Sequence, residues 1–271
     1  MRTHKDREIK IMGIVNLTDD SYFADSRCSD AEAALKRIGQ MVKDGADIID
    51  IGACSTRPGS LPVGEDEEWR RLSAVLPIIK RTYPDLIISI DTYWASVVQK
   101  AYDRIGPFIV NDISSGVDDP EMLPTVGRLG LDYIAMHKRG NPQNMQGLTD
   151  YDDVVESVHD YFQEFAKKAQ AAGIKNWILD PGFGFAKTID QNYTLLSELG
   201  RLKVEYAGHS PKILVGVSRK SMIYRLLEIT PEEALPATQA LHMAALINGA
   251  DILRVHDVKE AAQTVFMCSK M

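Results

Sequence analysis

The chain has 271 residues, a formal net charge of −7, 45% hydrophobic and 25% charged residues, the profile of a globular protein with a substantial core. The negative balance argues against nucleic acid or an anionic membrane as the main partner, and no apolar run approaches the roughly 18 residues of a membrane span. Cys28, Cys54 and Cys268 are scattered without CxxC spacing and charge reaches through Lys10, so no structural zinc or secretory segment is expected and the setting is read as cytoplasmic.

Apolar runs of strand length alternate with amphipathic stretches along the whole chain. Residues 9–15 predict a first strand ending at Asn16. Ser29 and Glu32 form a capping box, after which Leu35, Ile38, Met41 and Val42 recur at helical spacing until Gly45. A second strand spans 47–51, and the helix after it carries Trp69, Leu72, Leu76 and Ile79 on one face. Strand three at 86–90 is closed by Asp91, a helix begins near Ala95, and 108–110 leads to Asn111 and Asp112. A short helix at 121–129 precedes a strand at 132–136 that ends at His137, and Val154, Val158, Tyr161, Phe162 and Phe165 mark the next helix.

The stretch 176–188, Asn-Trp-Ile-Leu-Asp-Pro-Gly-Phe-Gly-Phe-Ala-Lys-Thr, organises the rest. Its apolar run reads as a buried strand with Asp180 at the carboxyl end, where Pro181 and Gly182 stop it. Thr188 and Gln191 make a capping box for a helix expected to run to Gly208. A seventh strand follows at 212–215 and a helix at 218–227. Thr230, Pro231 and Glu233 cap another helix that ends at Gly249, then an eighth strand at 251–255 and a final helix after Asp257. Eight strand–helix units in this length predict an α/β fold, a (β/α)8 TIM barrel forming a single domain over 1–271. An open doubly wound sheet is the alternative.

In such a barrel the carboxyl ends of the strands meet at one face. They offer Asn16, Asp50, Asp91, Asn111, His137, Asp180, Ser218 with Arg219, and Arg254 with His256. Any one of these could simply satisfy a turn backbone; their convergence from separate strands points to a site. Asp50 lies inside its apolar run and is left out. Asp91, Asn111 and Asp180 are planar groups suited to the edge of a heteroaromatic ring, an ionised carboxylate taking paired N–H groups. Arg254, His256, Arg57 and the Thr56 hydroxyl suit phosphate. The segment 216–221 enters a predicted helix whose first turn could hold an anion.

These segments resemble a known family. Ile-Met-Gly-Ile-Val-Asn-Leu-Thr at 11–18, Asp-Ile-Gly-Ala-Cys-Ser-Thr-Arg-Pro-Gly at 50–59, Ser-Ile-Asp-Thr at 89–92 and Asn-Asp-Ile-Ser at 111–114 are similar to dihydropteroate synthases. So are Met136-His137, the Asp180 stretch, Gly-Val-Ser-Arg-Lys-Ser at 216–221 and Arg-Val-His-Asp at 254–257, in the family's order over essentially the whole chain. The resemblance implies condensation of 6-hydroxymethyl-7,8-dihydropterin pyrophosphate with p-aminobenzoate to give dihydropteroate and pyrophosphate. It implies Asp91, Asn111, Asp180 and Lys220 on the pterin, beside Met136. Arg254, His256 and Asn16 would hold pyrophosphate, with Mg²⁺ between Asn16 and the phosphate oxygens. Loops at 18–27 and 55–64 would close to form the p-aminobenzoate pocket, with Phe185, Pro58 and Ser221 lining it. Asp91, Asp180, Lys220, Arg254 and His256 are the residues implied for the chemistry, and a homodimer through outer helices is implied as the assembly.

The sequence departs from the family pattern at Asp19, usually Pro, in the residues 22–27, which lack a Gly-rich ending, at Cys54, where Glu is common, and at Ala186, usually Gly. Two other classes could use the scaffold. A pterin-binding methyltransferase would share the ring-binding acids but have no use for Arg57, Arg254 and His256, and a non-catalytic paralogue would bind pterin without releasing pyrophosphate.

Overall fold

The structure, a computed structural model, describes residues 8–17, 31–54, 63–140 and 144–271. Eight parallel strands close into a ring in chain order: β1 (Lys10–Asn16), β2 (Ile48–Gly52), β3 (Ile87–Asp91), β4 (Ile109–Asp112), β5 (Asp132–Met136), β6 (Trp177–Asp180), β7 (Lys212–Val215) and β8 (Ile252–Val255). β8 pairs back onto β1, from Lys10↔Ile252 to Gly13↔Val255. Outside the ring run α1 (Ala31–Lys43), α2 (Glu65–Thr82), α3 (Ala95–Ile105), α4 (Met122–Leu129), α5 (Val154–Ala171), α6 (Ile189–Ser197), α7 (Ser221–Tyr224), α8 (Leu235–Ile247) and α9 (Val258–Cys268). The expected (β/α)8 barrel is the observed fold, and the open sheet is excluded by the β1–β8 pairing.

Two apolar clusters follow from strands that are buried on both faces. The larger lies between strands and helices and includes Ile38, Leu72, Ile79, Val110, Phe162 and Leu179. The smaller fills the ring itself: Met12, Ile48, Ile109, Ile134, Leu214 and Ile252, with Ile178 packed against it. Because side chains alternate across a strand, the residues two and four places beyond this floor also face the ring axis. Two places on, they include Asp50 on β2, Asn111 on β4, Met136 on β5, Asp180 on β6 and Arg254 on β8, and four places on, Asn16 on β1 and Gly52 on β2. An apolar floor therefore carries a polar layer.

Helix limits differ from the expected ones in three places. The helix after Thr188 stops at Ser197, continues as a 3₁₀ turn over Leu199–Leu202, and gives way to a Tyr206–His209 bridge with Ala207 and Gly208 in left-handed conformations. Gly200 and that turn do not sustain an α-helix. The helix expected over 218–227 is reduced to the four residues of α7, since Arg219 and Glu228 have φ of 52° and 55°. Thr230 and Glu233 do bond reciprocally, at 2.9 and 3.4 Å, but on a turn; α8 begins at Leu235. Ser29 lies outside the described residues. Among the described residues no helix is long and apolar enough to cross a membrane.

Candidate active site

The register of the first four strands sets one side of the rim. Asn16 pairs with Gly52, Gly52 with Asp91, and Asp91 with Asn111. A Cβ on Gly52 would lie 3.3 Å from Asn16 Oδ1 and 3.6 Å from Asp91 Cβ, so the missing side chain lets these two polar groups flank one gap. Asp91 is pushed up to about 7 by burial and by the carboxylates of Asp50, Asp112 and Asp180, with Arg254 pulling the other way. Arg254 lies between two acids: its Nε donates to Asp50 Oδ2 at 2.7 Å, and Nη2 donates to Asp91 Oδ2 at 3.0 Å. Asp50 also accepts from Ser89 Oγ at 2.6 Å and Asn111 Nδ2 at 3.0 Å. The exclusion of Asp50 from the site is thus corrected: it is fully buried at the centre of the network. Its position between Ile48 and Gly52 in the alternating pattern was the available signal.

The other side comes from β6, β7 and β8. Asp180 accepts from the Gly182 N–H at 2.8 Å. Burial holds its carboxyl above the usual range, opposed by Lys220, that N–H and Arg254. Lys220 donates from Nζ to the Phe183 carbonyl at 2.6 Å and lies 4.9 Å from the centre of the Phe185 ring. Burial pulls its ammonium down to about 8 against the pull of Asp180, with Arg254 lowering it further. The absent side chain at Gly216 leaves room here, because a Cβ would stand 3.8 Å from Arg254 Cβ and 3.9 Å from Lys220 Nζ. Asp180, Lys220 and Arg254 therefore lie within electrostatic reach of one another.

His256 is held neutral, pulled down to about 3 by burial and by the cations Arg254, Arg37, Arg219 and Lys220. Its Nδ1 lies 3.0 Å from Ser218 Oγ. His256 can offer an anion an N–H but no full charge. Arg219, a strand-end candidate, is engaged elsewhere: it forks onto Asp257 at 2.8 and 2.9 Å and donates to the carbonyls of Pro231 and Glu232. The four-residue α7 also has too short a dipole for the anion site expected at its start, so the cations, not that helix, supply positive potential. Ser221 is half-buried at its first position.

The turn after β6 is fastened from behind. Gly182 has φ +68°, and a Cβ there would fall 2.0 Å from the His137 carbonyl oxygen. Lys187, 5% exposed, directs Nζ at the carbonyls of Gly182 and Phe185, both 3.1 Å away, and at His137 Nδ1 at 3.0 Å. His137, a strand-end candidate, is committed to that contact. The expected capping box of Thr188 and Gln191 is present. Phe183 is buried in the core while Phe185 is half-buried beside Lys220. Ala186 has φ +50°, so its replacement of the family's Gly places a side chain in left-handed backbone, about 1–2 kcal/mol of strain, beyond the added methyl. Met136 is buried, its carbonyl accepting from Ser115 Oγ at 3.0 Å.

Thr56, Arg57, Pro58 and the loop at 18–27 lie outside the described residues. Burial raises the Cys54 thiol above its ordinary value, which opposes a thiolate nucleophile there. Asn16 supplies a hard amide oxygen at the rim, and among the described residues no group of three His, Cys, Asp or Glu side chains could hold a metal. That donor set fits Mg²⁺ bound chiefly through a substrate's phosphate oxygens.

A rim that pairs ring-edge acceptors with two cations is built for a flat, donor-rich heterocycle carrying an anionic group. The chain belongs to the pterin binding enzyme family, whose model matches residues 12–256. It is 39% identical over 257 residues to the dihydropteroate synthase of Escherichia coli strain K12, covering 94% of this chain and 89% of that one. A Yersinia pestis dihydropteroate synthase solved with a sulfonamide drug superposes with a TM-score of 0.89 at 36% identity, covering 98% and 94% of the two chains. The Burkholderia cenocepacia enzyme complexed with 7,8-dihydropteroate gives 0.85 at 35%, covering 96% and 90%.

Proposed function

We propose that this chain is a dihydropteroate synthase, a transferase that joins 6-hydroxymethyl-7,8-dihydropterin pyrophosphate to p-aminobenzoate and releases 7,8-dihydropteroate and pyrophosphate in folate synthesis. The observation that carries the reading is the buried, mutually coupled group of Asp180, Lys220 and Arg254, in a chain whose relatives bear that name. Asp91, Asn111 and Asp180 take the ring N–H groups, Met136 flanks the ring, and Lys220 donates to its acceptor edge. Arg254, neutral His256 and Asn16 face the pyrophosphate. Phe185 and Ser221 line the p-aminobenzoate side, to which the sequence also assigns Pro58, while Thr56 and Arg57 are assigned to phosphate from the sequence alone.

Breaking the CH2–O bond leaves negative charge on pyrophosphate and positive charge on the pterin methylene. Arg254 and the His256 N–H stand where the negative charge develops. Asn16 would hold Mg²⁺, which would supply further charge stabilisation to the leaving group. The buried acids around the ring favour the cationic methylene. The arylamine is nucleophilic by itself and needs orientation more than a base.

A second copy of the chain is the proposed partner, seated on the exposed Ile247, Phe266 and Met267 at the ends of α8 and α9; Phe266→Glu should convert a dimer to monomer in sedimentation. The thiols of Cys54, half-buried, and Cys268, buried, fit a reducing, cytoplasmic setting. The deciding experiment mixes both substrates with Mg²⁺ and follows pyrophosphate and dihydropteroate. Stoichiometric appearance of both is expected, and pterin binding with no pyrophosphate would instead make the protein a non-catalytic binder.

A further inference from the structure

On the pterin reading of this site, we propose that Asp50 sets the hydrogen-bond polarity of the ring cavity. By accepting from Asn111, it compels that amide to present its carbonyl oxygen, and not its NH2, to the bound heterocycle. Asp50 is fully buried. Its Oδ1 takes the Ser89 hydroxyl at 2.6 Å, and its Oδ2 takes Asn111 Nδ2 at 3.0 Å and Arg254 Nε at 2.7 Å. Donors from three of the barrel's segments converge on it, one of them the Arg254 guanidinium.

A carboxylate accepts only. Asn111 can therefore turn nothing but its amide nitrogen toward Asp50, whichever way the planar group might otherwise flip. The oxygen branch then points away from Asp50. With the Asp91 and Asp180 carboxylates it makes a set of acceptors, so the complementary ligand edge must be rich in N–H, as the amino and ring N–H of a 2-aminopyrimidinone are. A neutral or apolar residue at position 50 would leave the Asn111 orientation undetermined and Arg254 with Asp91 as its remaining acid partner in this network. Asp50 reaches the substrate only through Asn111 and Arg254, which makes it a positioning residue.

The test is a compensation experiment. Affinity for 6-hydroxymethyl-7,8-dihydropterin is measured by calorimetry for the wild type, D50N, N111D and the D50N/N111D double variant, each checked for a cooperative thermal transition. D50N lets the amide at 111 turn its NH2 to the ring, and N111D sets two carboxylates face to face. Each single change should weaken binding at least about 30-fold. In the double variant Asn at 50 donates to Asp at 111, whose other oxygen again faces the ring; Arg254 Nε gives up its bond to position 50 but keeps Asp91 through Nη2, and the count of charges is unchanged. Its affinity should return to within about fivefold of the wild type, a rescue that general damage to the core would not give. Additive losses overturn the proposal. Should D50N fail to fold, N111D decides alone, and wild-type affinity in it overturns the proposal. A wild type that takes no pterin would overturn the reading of the site as well, which additive losses in a pterin-binding protein would not.

Discussion

Lys220 is the residue whose charge state should be visible in kinetics. Burial lowers it from 10.5 to about 8, so its ammonium is lost within the working range of an assay. The expected kcat/KM for the pterin substrate falls on the alkaline side with a limb near pH 8, and Lys220→Arg moves that limb to higher pH; an unmoved limb would assign it to another group. The sign for stability is opposite. Between about 8 and 10.5 the unfolded chain holds a proton that the fold has released, so the free protein gains stability as pH rises through that window. Most rim residues were legible because polar groups at the ends of apolar runs have few reasons to cluster. Asp50 was not, because the run around it reads as buried on both faces, and only the alternation Ile48, Asp50, Gly52 marks it as facing the axis.

The turn from Gly182 to Lys187 is the element on which the ring side of the site depends. Gly182→Ala must put a methyl group 2.0 Å from the His137 carbonyl in backbone of φ +68°, which costs about 2–5 kcal/mol from left-handed strain and overpacking together. Urea unfolding should show that loss, and pterin affinity should fall with it; a change under about 1 kcal/mol would mean the turn can shift without cost. β5 and β7 were legible to the residue because their apolar runs are bounded by polar and Gly residues. The segment after β7 was not, since left-handed backbone falls on Arg219 and Glu228, residue types that carry no local signal for it. Asp257 and the 231–232 carbonyls fix Arg219 there through contacts distant in sequence.

At the scale of the molecule, eight alternating units left little room for another architecture, and the barrel in turn explains why groups from Asn16 to His256 meet. The ring is nonetheless unevenly zipped. β1 and β2 match at five positions, as do β2 and β3. β6 joins β7 only at Ile178↔Lys212 and Leu179↔Ile213, and β7 joins β8 only at Leu214↔Ile252 and Val215↔Leu253. That thin seam is where local opening should be cheapest, and it is spanned from above by Asp180, Lys220 and Arg254. A ligand gripped by all three would act as a clasp across it, so occupancy should slow amide hydrogen exchange most along β7, well beyond the atoms it touches.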